Sequence, residues 1–469
     1  MKRTIFVTWV SAVAAGGVAC ASSDAPDASP TPDGGASSIP DSAVPDDAAP
    51  AADASAGPAC SADGWCVTEV PDDDLSFVSV WPLEGRAFAT AQSPLVGYKV
   101  LEWSEATAKW TYIDDKQQNQ AAPSFISSVW ASGENEVYYA TSRGTIAHGT
   151  RPSPSESWSW DYASLPNNVA MGLDTTLDHI ENLTERISSS QNKMPTIGVW
   201  GTSAGDVYAW YTNTIFRRVS EGGAAPRWVA EYTADDTSAV TWSGYTAPAY
   251  VLALGATGTG PDDLWFTFVR NTATTGSFAS TCPVLVRKTS AGYARIVDGV
   301  VNAPATLGCT AAPDYLFLGS PTKGWLSNLQ SIGNGQVVGV LGGRELVNIA
   351  SDGGSYRVTS AKIMSRGLVQ NGQALPSDSK LTYFTSAYAT SPTTLWFAGQ
   401  QQDSLPFGYL GNALAVRGDD VWNANAATYQ MSSISLTGAP LEGGSPQIRG
   451  TSDRNLWLVS KNHALHKTQ

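Results

Sequence analysis

The chain has 469 residues, of which 42% are hydrophobic and only 15% charged, enough apolar material for a large core. Its net charge of −14, with only 28 Lys and Arg residues, does not fit the basic surface that phosphate binding needs, so nucleic acid is not an expected partner. The five cysteines favour an oxidising compartment, where disulfides form.

Residues 1–19 have the pattern of a secretory signal peptide. Lys2 and Arg3 precede a short apolar stretch over residues 5–18, which is too short for a permanent membrane span. The next residues, Gly17-Val18-Ala19-Cys20, resemble the lipobox of bacterial lipoproteins, although Gly17 departs from its preference for an apolar residue. This resemblance implies that Cys20 is lipidated, and Ala21 after it is similar to lipoproteins sent to the outer membrane of Gram-negative bacteria. A soluble secreted protein is the alternative.

Residues 20–58 follow as a segment made almost entirely of Ala, Ser, Pro, Asp and Gly. Because it has no aromatic or basic residue, it cannot bury a core, and we expect a disordered tether. Seven Asp residues of the chain lie here, which is half of the net charge of −14. The acidity of the whole chain therefore overstates that of the folded part.

From residue 59 onward the chain repeats a strand, a tight turn of small and acidic residues, and a second strand. The clearest copy is VWGTSAGDVYAW over residues 199–210. The second strands centre on seven residues at spacings of 50 to 73, namely Phe88, Tyr138, Tyr208, Trp265, Val338, Trp396 and Trp457. Repeats of this length built only of strands are typical of propeller blades. The sequence therefore predicts an all-β, seven-bladed β-propeller of four-stranded antiparallel blades over residues 59–469.

The ends of this domain predict how the ring closes. After Trp457 the chain has room for a third strand but not for a fourth. Residues 64–70, which precede the first blade, look like the fourth strands of the other blades. We expect them to complete the seventh blade.

The long segments of the domain fall between blades and in second-to-third turns, which lie on one face of a propeller. One of these segments, residues 173–190, has apolar residues at helical spacing from Leu173 to Ile187, with Asp174 able to cap the start, and predicts a short helical insertion. We expect it to lie on the propeller rim; a partner-binding helix is the alternative.

If Cys20 carries the lipid, four cysteines remain for two disulfides. Three pairings are possible, and proximity in the chain favours Cys60 with Cys66 and Cys282 with Cys309. A zinc site is the rival interpretation, but the chain has no CxxC motif to support it.

Several motifs look like catalytic chemistry but are better explained as structure. Gly201-Thr202-Ser203-Ala204-Gly205 matches the nucleophile elbow, yet the residues after it form a strand and not the helix that the elbow requires. We interpret it as a turn in which Asp206 and Asp263 of the next repeat accept backbone hydrogen bonds.

The four histidines, His148, His179, His463 and His466, are expected to be structural or solvated. Adjacent Asp pairs lie in turns; calcium there is possible, and no other cofactor or metal is expected.

The chain has seventeen tryptophans and seventeen tyrosines. Those at repeat positions, such as Trp130 and Trp265, should pack between sheets. The aromatic residues in or beside the long segments are the better candidates for a ligand-binding surface, and they are Trp242, Tyr245, Tyr250, Tyr315, Phe317 and Trp325.

Taken together, the repeat of the form VWG-S-x-x-DVWAV, the lipobox and the Pro/Ala/Asp tether resemble the β-propeller lipoproteins that Gram-negative soil bacteria encode in many copies. The resemblance implies a fold and a location but no reaction. Our first hypothesis is a monomeric, non-enzymatic protein, anchored in the outer membrane only by its lipid, that binds a protein or a glycan through the loop-rich face. One alternative is a carbohydrate-active lyase or hydrolase with its site at the mouth of the central channel. Another is a scaffold in an envelope assembly.

Overall fold

The computed structural model describes residues 59–120, 123, 125–168, 186–188, 193–220, 223–236, 238–242, 245–272, 281–301, 309–318, 324–363, 369–370, 373–374, 382–401, 412–436, 441 and 446–468. The signal peptide, Cys20, the tether and His179 lie outside these residues. Most of the predicted helix, residues 173–185, also lies outside them. Its end is not helical, because Arg186–Ser188 form a strand that pairs with Lys193–Pro195.

The regular secondary structure of the described residues is strand, apart from a single 3₁₀ turn at Gln117–Asn119. In chain order the strands are β1 (Trp65–Val67), β2 (Ser76–Leu83), β3 (Arg86–Ser93), β4 (Gly97–Ser104), β5 (Lys109–Tyr112), β6 (Ile126–Gly133), β7 (Glu136–Thr141), β8 (Thr145–Thr150), β9 (Ser159–Ser164), β10 (Arg186–Ser188), β11 (Lys193–Pro195), β12 (Ile197–Ser203), β13 (Asp206–Tyr211), β14 (Thr214–Val219), β15 (Arg227–Thr233), β16 (Ser238–Trp242), β17 (Tyr245–Gly260), β18 (Asp263–Thr272), β19 (Thr281–Thr289), β20 (Gly292–Val301), β21 (Cys309–Ala311), β22 (Leu326–Gly333), β23 (Gln336–Leu341), β24 (Glu345–Asp352), β25 (Ser355–Lys362), β26 (Val369–Gln370), β27 (Gln373–Ala374), β28 (Thr382–Ala389), β29 (Leu395–Gln401), β30 (Asn412–Asp419), β31 (Thr428–Ser432), β32 (Gln447–Ser452), β33 (Asn455–Ser460) and β34 (His463–Lys467).

These strands form seven antiparallel blades arranged as a β-propeller, which confirms the predicted fold class. Blades 1, 2, 3, 5 and 6 are the sheets β2–β5, β6–β9, β12–β15, β22–β25 and β28–β31. Blade 4 has β17–β20 as its four central strands, and β16 and β21 extend its two edges. The hairpins β10–β11 and β26–β27 lie between blades.

Blade 7 takes strands from both ends of the domain, in the order β1-β34-β33-β32. The closing strand β1 lies within residues 64–70, and its Cys66 is opposite His466 of β34. Trp65 is fully buried there. Its indole Nε1 donates a 2.9 Å hydrogen bond to Ser432 Oγ, and its ring meets Trp396 edge-on at 5.9 Å. This strand therefore contacts blade 6 as well as completing blade 7.

Apolar side chains of adjacent blades form the core, because each sheet buries both faces against its neighbours. Val199 of β12 packs with Trp130 and Tyr138 of blade 2, and Val207 of β13 joins the same cluster. The alternation of the repeat explains this packing, since every second residue of a strand points to the same face. The "V" of each VW repeat thus becomes an inter-blade contact.

The first strand of each blade lies innermost, and these strands follow one another in a closed ring. They form separate sheets, and side chains bridge most of the junctions between them. The bonds at the seven junctions are Gln447 Oε1 to Val80 N (2.7 Å), Ser79 Oγ to Val129 N (3.4 Å), Ser128 Oγ to Val199 N (3.1 Å), Thr212 O to Ala253 N (2.7 Å), Thr257 Oγ1 to Ser331 N (2.9 Å), Gln330 Oε1 to Ala389 N (2.7 Å) and Ser386 Oγ to Ile448 N (3.0 Å). Polar residues on the innermost strands therefore satisfy backbone groups that a continuous ladder would otherwise pair.

The two faces of the ring differ in their connections. The loop face carries the second-to-third turns and the links between blades, and the turn face carries the first-to-second and third-to-fourth turns. The disulfides are Cys60–Cys66 and Cys282–Cys309, with S–S distances of 2.04 and 2.10 Å. The second lies at the loop-face end of blade 4, where it joins β19 to β21.

Candidate functional site

The link that follows blade 4 exposes two aromatic rings on the loop-face side of the rim. Tyr315 is 38% exposed and Phe317 is 48% exposed, whereas Leu318 is only 3% exposed. The amide of Leu316 donates a 3.1 Å hydrogen bond to the carbonyl of Ile296 in β20. After a turn over residues 313–315 the segment lies along the outer edge of blade 4, and from Tyr315 to Leu318 its side chains alternate between more exposed and more buried positions.

Phe317 also borders a shallow pocket between blades 4 and 5. The other lining residues are Pro283, Val297, Gly299, Cys309, Thr310, Ala311, Leu316, Leu318 and Leu341. Almost all of these side chains are apolar, and Cys309 is fixed by its disulfide to Cys282. The pocket has room for only about one water molecule, so it is a small apolar depression beside the exposed ring. Exposed apolar side chains grouped in this way are typical of a binding surface. We define the rim patch as Tyr315, Phe317 and this pocket.

An ion network fixes the end of blade 4 beside the rim patch. Arg270 is 5% exposed; its Nε donates to the carbonyl of Gly299, which lines the pocket, at 3.1 Å, and its Nη2 donates to Asp298 at 2.8 Å. Arg270 and Arg295 each donate to Asp236, with bonds of 2.8 to 2.9 Å. Burial raises the pKa of Asp236, but the hydrogen bonds and charges of Arg295 and Arg270 outweigh it and lower that pKa to about 2. Two cations and two anions satisfy one another, so this network is structural.

The other aromatic candidates are placed differently. Tyr250 and Trp325 instead lie in the core, 5% and 4% exposed, in one cluster with Leu252, Leu254 and Val269. Neither ring is exposed to solvent. Trp242 and Tyr245 are opposite each other at the tip of the β16–β17 hairpin, and their side chains lie outside the described part of the structure.

The turn face carries a polar network that resembles a catalytic site at first sight. In blade 2, Glu136 accepts hydrogen bonds from Ser132 Oγ at 2.5 Å and Tyr138 Oη at 2.7 Å, and His148 Nε2 lies 2.9 Å from its carboxylate. Burial raises the pKa of Glu136, but the bonds from His148, Ser132 and Tyr138 outweigh it and lower the pKa to about 2. The hydroxyl bonds the carboxylate and not the imidazole, so the order of a nucleophilic triad is missing.

Sister blades repeat this network with other residue types. Asp263 of blade 4 accepts from Thr259 at 2.9 Å, Trp265 at 3.1 Å and Arg287 at 3.0 Å. Asn455 of blade 7 accepts from Trp457 at 3.2 Å and lies 3.0 Å from His466. Because burial lowers the pKa of His466 to about 4, this imidazole is neutral at pH 7. A pattern shared by several blades is structural, and the histidines in it are satisfied as expected.

The apparent nucleophile elbow is one of these turns. Ser203 ends β12 opposite Asp206, which begins β13. Asp206 accepts a 2.6 Å bond from the side chain of Thr202, and Asp263 one from Thr259, where the sequence analysis expected backbone donors. The structural interpretation of the turn is thus retained, with a hydroxyl four residues earlier as the donor.

Among the described residues, no three His, Cys, Asp or Glu side chains gather in a way that could hold a metal ion. The same residues include no helix long and apolar enough to cross a membrane.

No family model matches this chain, and no curated protein sequence matches it significantly. Solved structures that are similar to it include YCF48 bound to a D1 peptide (12% identity, TM-score 0.43, covering 88% of this chain and 99% of that one). A polysaccharide lyase of family PL25, an ulvan lyase, has 10% identity and a TM-score of 0.41, covering 88% and 95%. The β-propeller domain of Cps50 (Swd1) from Myceliophteria thermophila has 9% identity and a TM-score of 0.37, covering 87% and 97%. At these values the likenesses assign neither a family nor an activity.

One residue of the innermost strands, Arg449, was not among the candidates from the sequence. Arg449 of β32 stands where the repeat has its tryptophan, in IRGTS against VWGTS of blade 3. The alignment of the repeats contained this signal, because a cation replaces an aromatic ring at an innermost position.

Proposed function

We propose that this protein is a binding protein that holds a protein or a glycan through the rim patch on its loop face. The observation that carries the proposal is the exposure of Tyr315 and Phe317 beside a pocket whose floor is fixed by a disulfide and an ion network. Aromatic rings held on a rigid support bury a large apolar area at little entropic cost, so they are typical anchors of protein and glycan ligands.

The distribution of exposed apolar side chains supports the same face. In the described part of the chain, the exposed large hydrophobic residues other than Val78 all lie on loop-face segments, namely Leu95, Val96, Val300, Tyr315 and Phe317. On the turn face, by contrast, Glu136 is engaged with His148 and Asp263 with Arg287 in the repeated network. The loop face is therefore better suited to bind a partner than to catalyse a reaction.

We further propose that the lipobox resemblance is functional, so that a lipid on Cys20 anchors the protein in the outer membrane and the acidic tether holds the propeller away from the bilayer. Replacement of Cys20 by Ala should abolish incorporation of radiolabelled palmitate and release the protein from the membrane fraction. Retention in the membrane without the label would contradict the anchor.

A matched pair of double variants tests the binding face. Tyr315→Ser/Phe317→Ser removes two exposed apolar side chains from the rim patch, and Leu95→Ser/Val96→Ser removes two from the loop face of blade 1. Binding is measured on a glycan array and by photo-crosslinking to envelope proteins from a benzophenone group placed at each pair. We expect the first variant alone to lose binding. Equal retention of binding by both variants would exclude the rim patch, and a signal on only one of the two assays would identify the class of ligand.

A further inference from the structure

The two disulfides of the propeller differ in their access to solvent. Cys60 is exposed and Cys66 is partly exposed. By contrast, Cys282 and Cys309 are only 0% and 7% exposed. A thiolate reduces a disulfide by direct attack on one of its sulfur atoms, so the rate depends on whether a reductant can reach that atom. We therefore expect Cys60–Cys66 to react in the folded protein, whereas Cys282–Cys309 is protected until blade 4 opens.

The exposed disulfide fixes the outer edge of blade 7. Residues 59–67, which we call the edge hairpin, fold back so that Cys60 lies opposite Cys66 of β1. Backbone hydrogen bonds flank this pair on both sides, and they run from Val67 to Ala59 at 2.9 Å and from Ser61 to Trp65 at 2.7 Å. The disulfide thus occupies a non-hydrogen-bonded position, where cross-strand side chains lie closest. It joins the beginning of the edge hairpin to the strand that closes the ring.

The turn of the edge hairpin contacts blade 6 as well as blade 7. The carboxylate of Asp63 accepts a hydrogen bond from the amide of Ser433, which follows β31 of blade 6. The carbonyl of Asp63 accepts one from the ammonium group of Lys467 in β34 of blade 7. Together with the bond from Trp65 to Ser432, these contacts join the outermost strands of the two blades.

The pairing that holds the edge hairpin is short. β1 pairs with β34 over only three residues, Trp65 to Val67. Ala62 and Asp63 in the turn are exposed, so this part of the hairpin buries little apolar surface. Segments of this kind open before the rest of a domain. Because the disulfide keeps residues 60–66 in a closed loop, its reduction should increase opening of the hairpin and of the joint between blades 6 and 7.

We propose that the Cys60–Cys66 disulfide is a redox switch, at which a dithiol reductant loosens ring closure while the rest of the propeller stays folded. A thiolate of the dithiol attacks the exposed sulfur of Cys60, which forms a mixed disulfide and releases Cys66 as a thiolate that takes up a proton. The second thiol of the reductant loses its proton and attacks its own partner sulfur, so that Cys60 leaves as a thiolate and is protonated in turn. The dithiol leaves as a disulfide, and two electrons and two protons have reached the protein. The switch does not require the rim patch, which lies on blade 4.

Alkylation of the folded, whole chain tests the access of the two disulfides. Dithiothreitol is the probe, iodoacetamide traps the thiols that form, and peptide mass mapping assigns them to individual cysteines. We expect Cys60–Cys66 to be reduced at least about tenfold faster than Cys282–Cys309, because only the first bond is open to the reductant. Unchanged tryptophan fluorescence would show that the propeller is still folded. Equal rates for the two bonds, or unfolding that accompanies reduction of Cys60–Cys66, would overturn the proposal.

Unfolding rates in urea test whether this reduction loosens ring closure. The selectively reduced and alkylated protein should unfold about threefold faster than the oxidised protein, because the edge hairpin is then open before the rest of the domain unfolds. The variant Cys60→Ala/Cys66→Ala should unfold at this faster rate, with or without reductant. The variant Cys282→Ala/Cys309→Ala keeps the exposed bond and should keep the effect of the reductant. An unchanged rate in wild type after reduction of Cys60–Cys66 would exclude the switch.

A matched pair of variants tests the contact with blade 6. Asp63→Ala removes the carboxylate that binds Ser433, and Asp73→Ala removes an exposed carboxylate from the link to blade 1. The oxidised Asp63→Ala variant should unfold faster than wild type, and reduction should then have a smaller effect, because the contact that reduction releases is already lost. Asp73→Ala should behave as wild type. A full effect of reduction in Asp63→Ala would contradict a switch that acts on the joint between blades 6 and 7.

Discussion

Single buried carboxylates hold cations from neighbouring blades. Glu102 of blade 1 is 6% exposed, and Arg151 of blade 2 binds both of its oxygens with hydrogen bonds of 2.7 and 2.8 Å. Arg86 also bonds this carboxylate, and the indole of Trp158 lies 4.3 Å from the Arg151 guanidinium. Glu102 and Arg151 are 49 residues apart in the chain, and the single sequence has no signal for such a contact. The blades could therefore be predicted from the sequence, but the pairing of side chains between blades could not.

Replacement of Glu102 by Gln should lower the free energy of unfolding by about 3 kcal/mol, because it leaves Arg151 buried without a countercharge. The matched control is Glu69→Gln. Glu69 pairs with Lys109 at 2.7 Å, but these side chains are 63% and 55% exposed, so the expected loss is below about 1 kcal/mol. Urea unfolding followed by tryptophan fluorescence measures both values. Equal losses of unfolding free energy in the two variants would show that the buried Glu102–Arg151 pair contributes no more stability than an exposed pair.

Among the elements, blade 4 departs most from the repeat. Its first strand, β17, runs over 16 residues where most other blades use 7 or 8, and β21 adds a strand outside β20. The sequence showed excess length between the repeats but not its conformation, because the added strand pairs over three residues and carries no repeat of its own. For the same reason Tyr250 and Trp325 resembled surface aromatics: they lie beside long links, and only the packing around Leu252 and Val269 reveals that they are buried.

The Cys282–Cys309 disulfide should be the main stabiliser of this outer strand. It closes a loop with a sequence separation of 27, so its removal in Cys282→Ala/Cys309→Ala should cost about 3 kcal/mol of unfolding free energy through loop entropy. The shorter Cys60–Cys66 loop, with a separation of 6, should cost less in the equivalent double variant. Urea unfolding without reductant gives both values. We also expect the first variant alone to lose binding at the rim patch; unchanged binding would mean that the pocket does not need the disulfide.

At the scale of the whole molecule, the ring depends on one blade shared by the two ends of the domain. The repeat count and the missing strand after Trp457 were enough to predict both seven blades and the closing segment, because blade geometry allows few alternatives. The bridges between innermost strands could not be predicted in the same way. They use Ser, Thr and Gln residues, such as Gln330 with its two bonds to Ala389, that look like ordinary polar positions of an alternating strand.

Circular permutation can test whether the shared blade itself stabilises the ring. Lys467 lies opposite Trp65 in the β34–β1 pair, so a short turn can join residue 469 to residue 59 without disturbing the sheet. In the first permutant, the joined chain has its new ends between Asp72 and Asp73, so each blade is made from one continuous stretch. In the second permutant, the new ends lie at Leu95, which is 85% exposed. Blade 1 is then shared by the two ends of the chain, as blade 7 is in the natural order. We expect the first permutant to unfold about tenfold faster in urea, because only non-covalent contacts then close the ring between blades 7 and 1. Stopped-flow fluorescence measures the rates. Equal rates for the two permutants would show that the inter-blade core and the inner bridges close the ring without help from the shared blade.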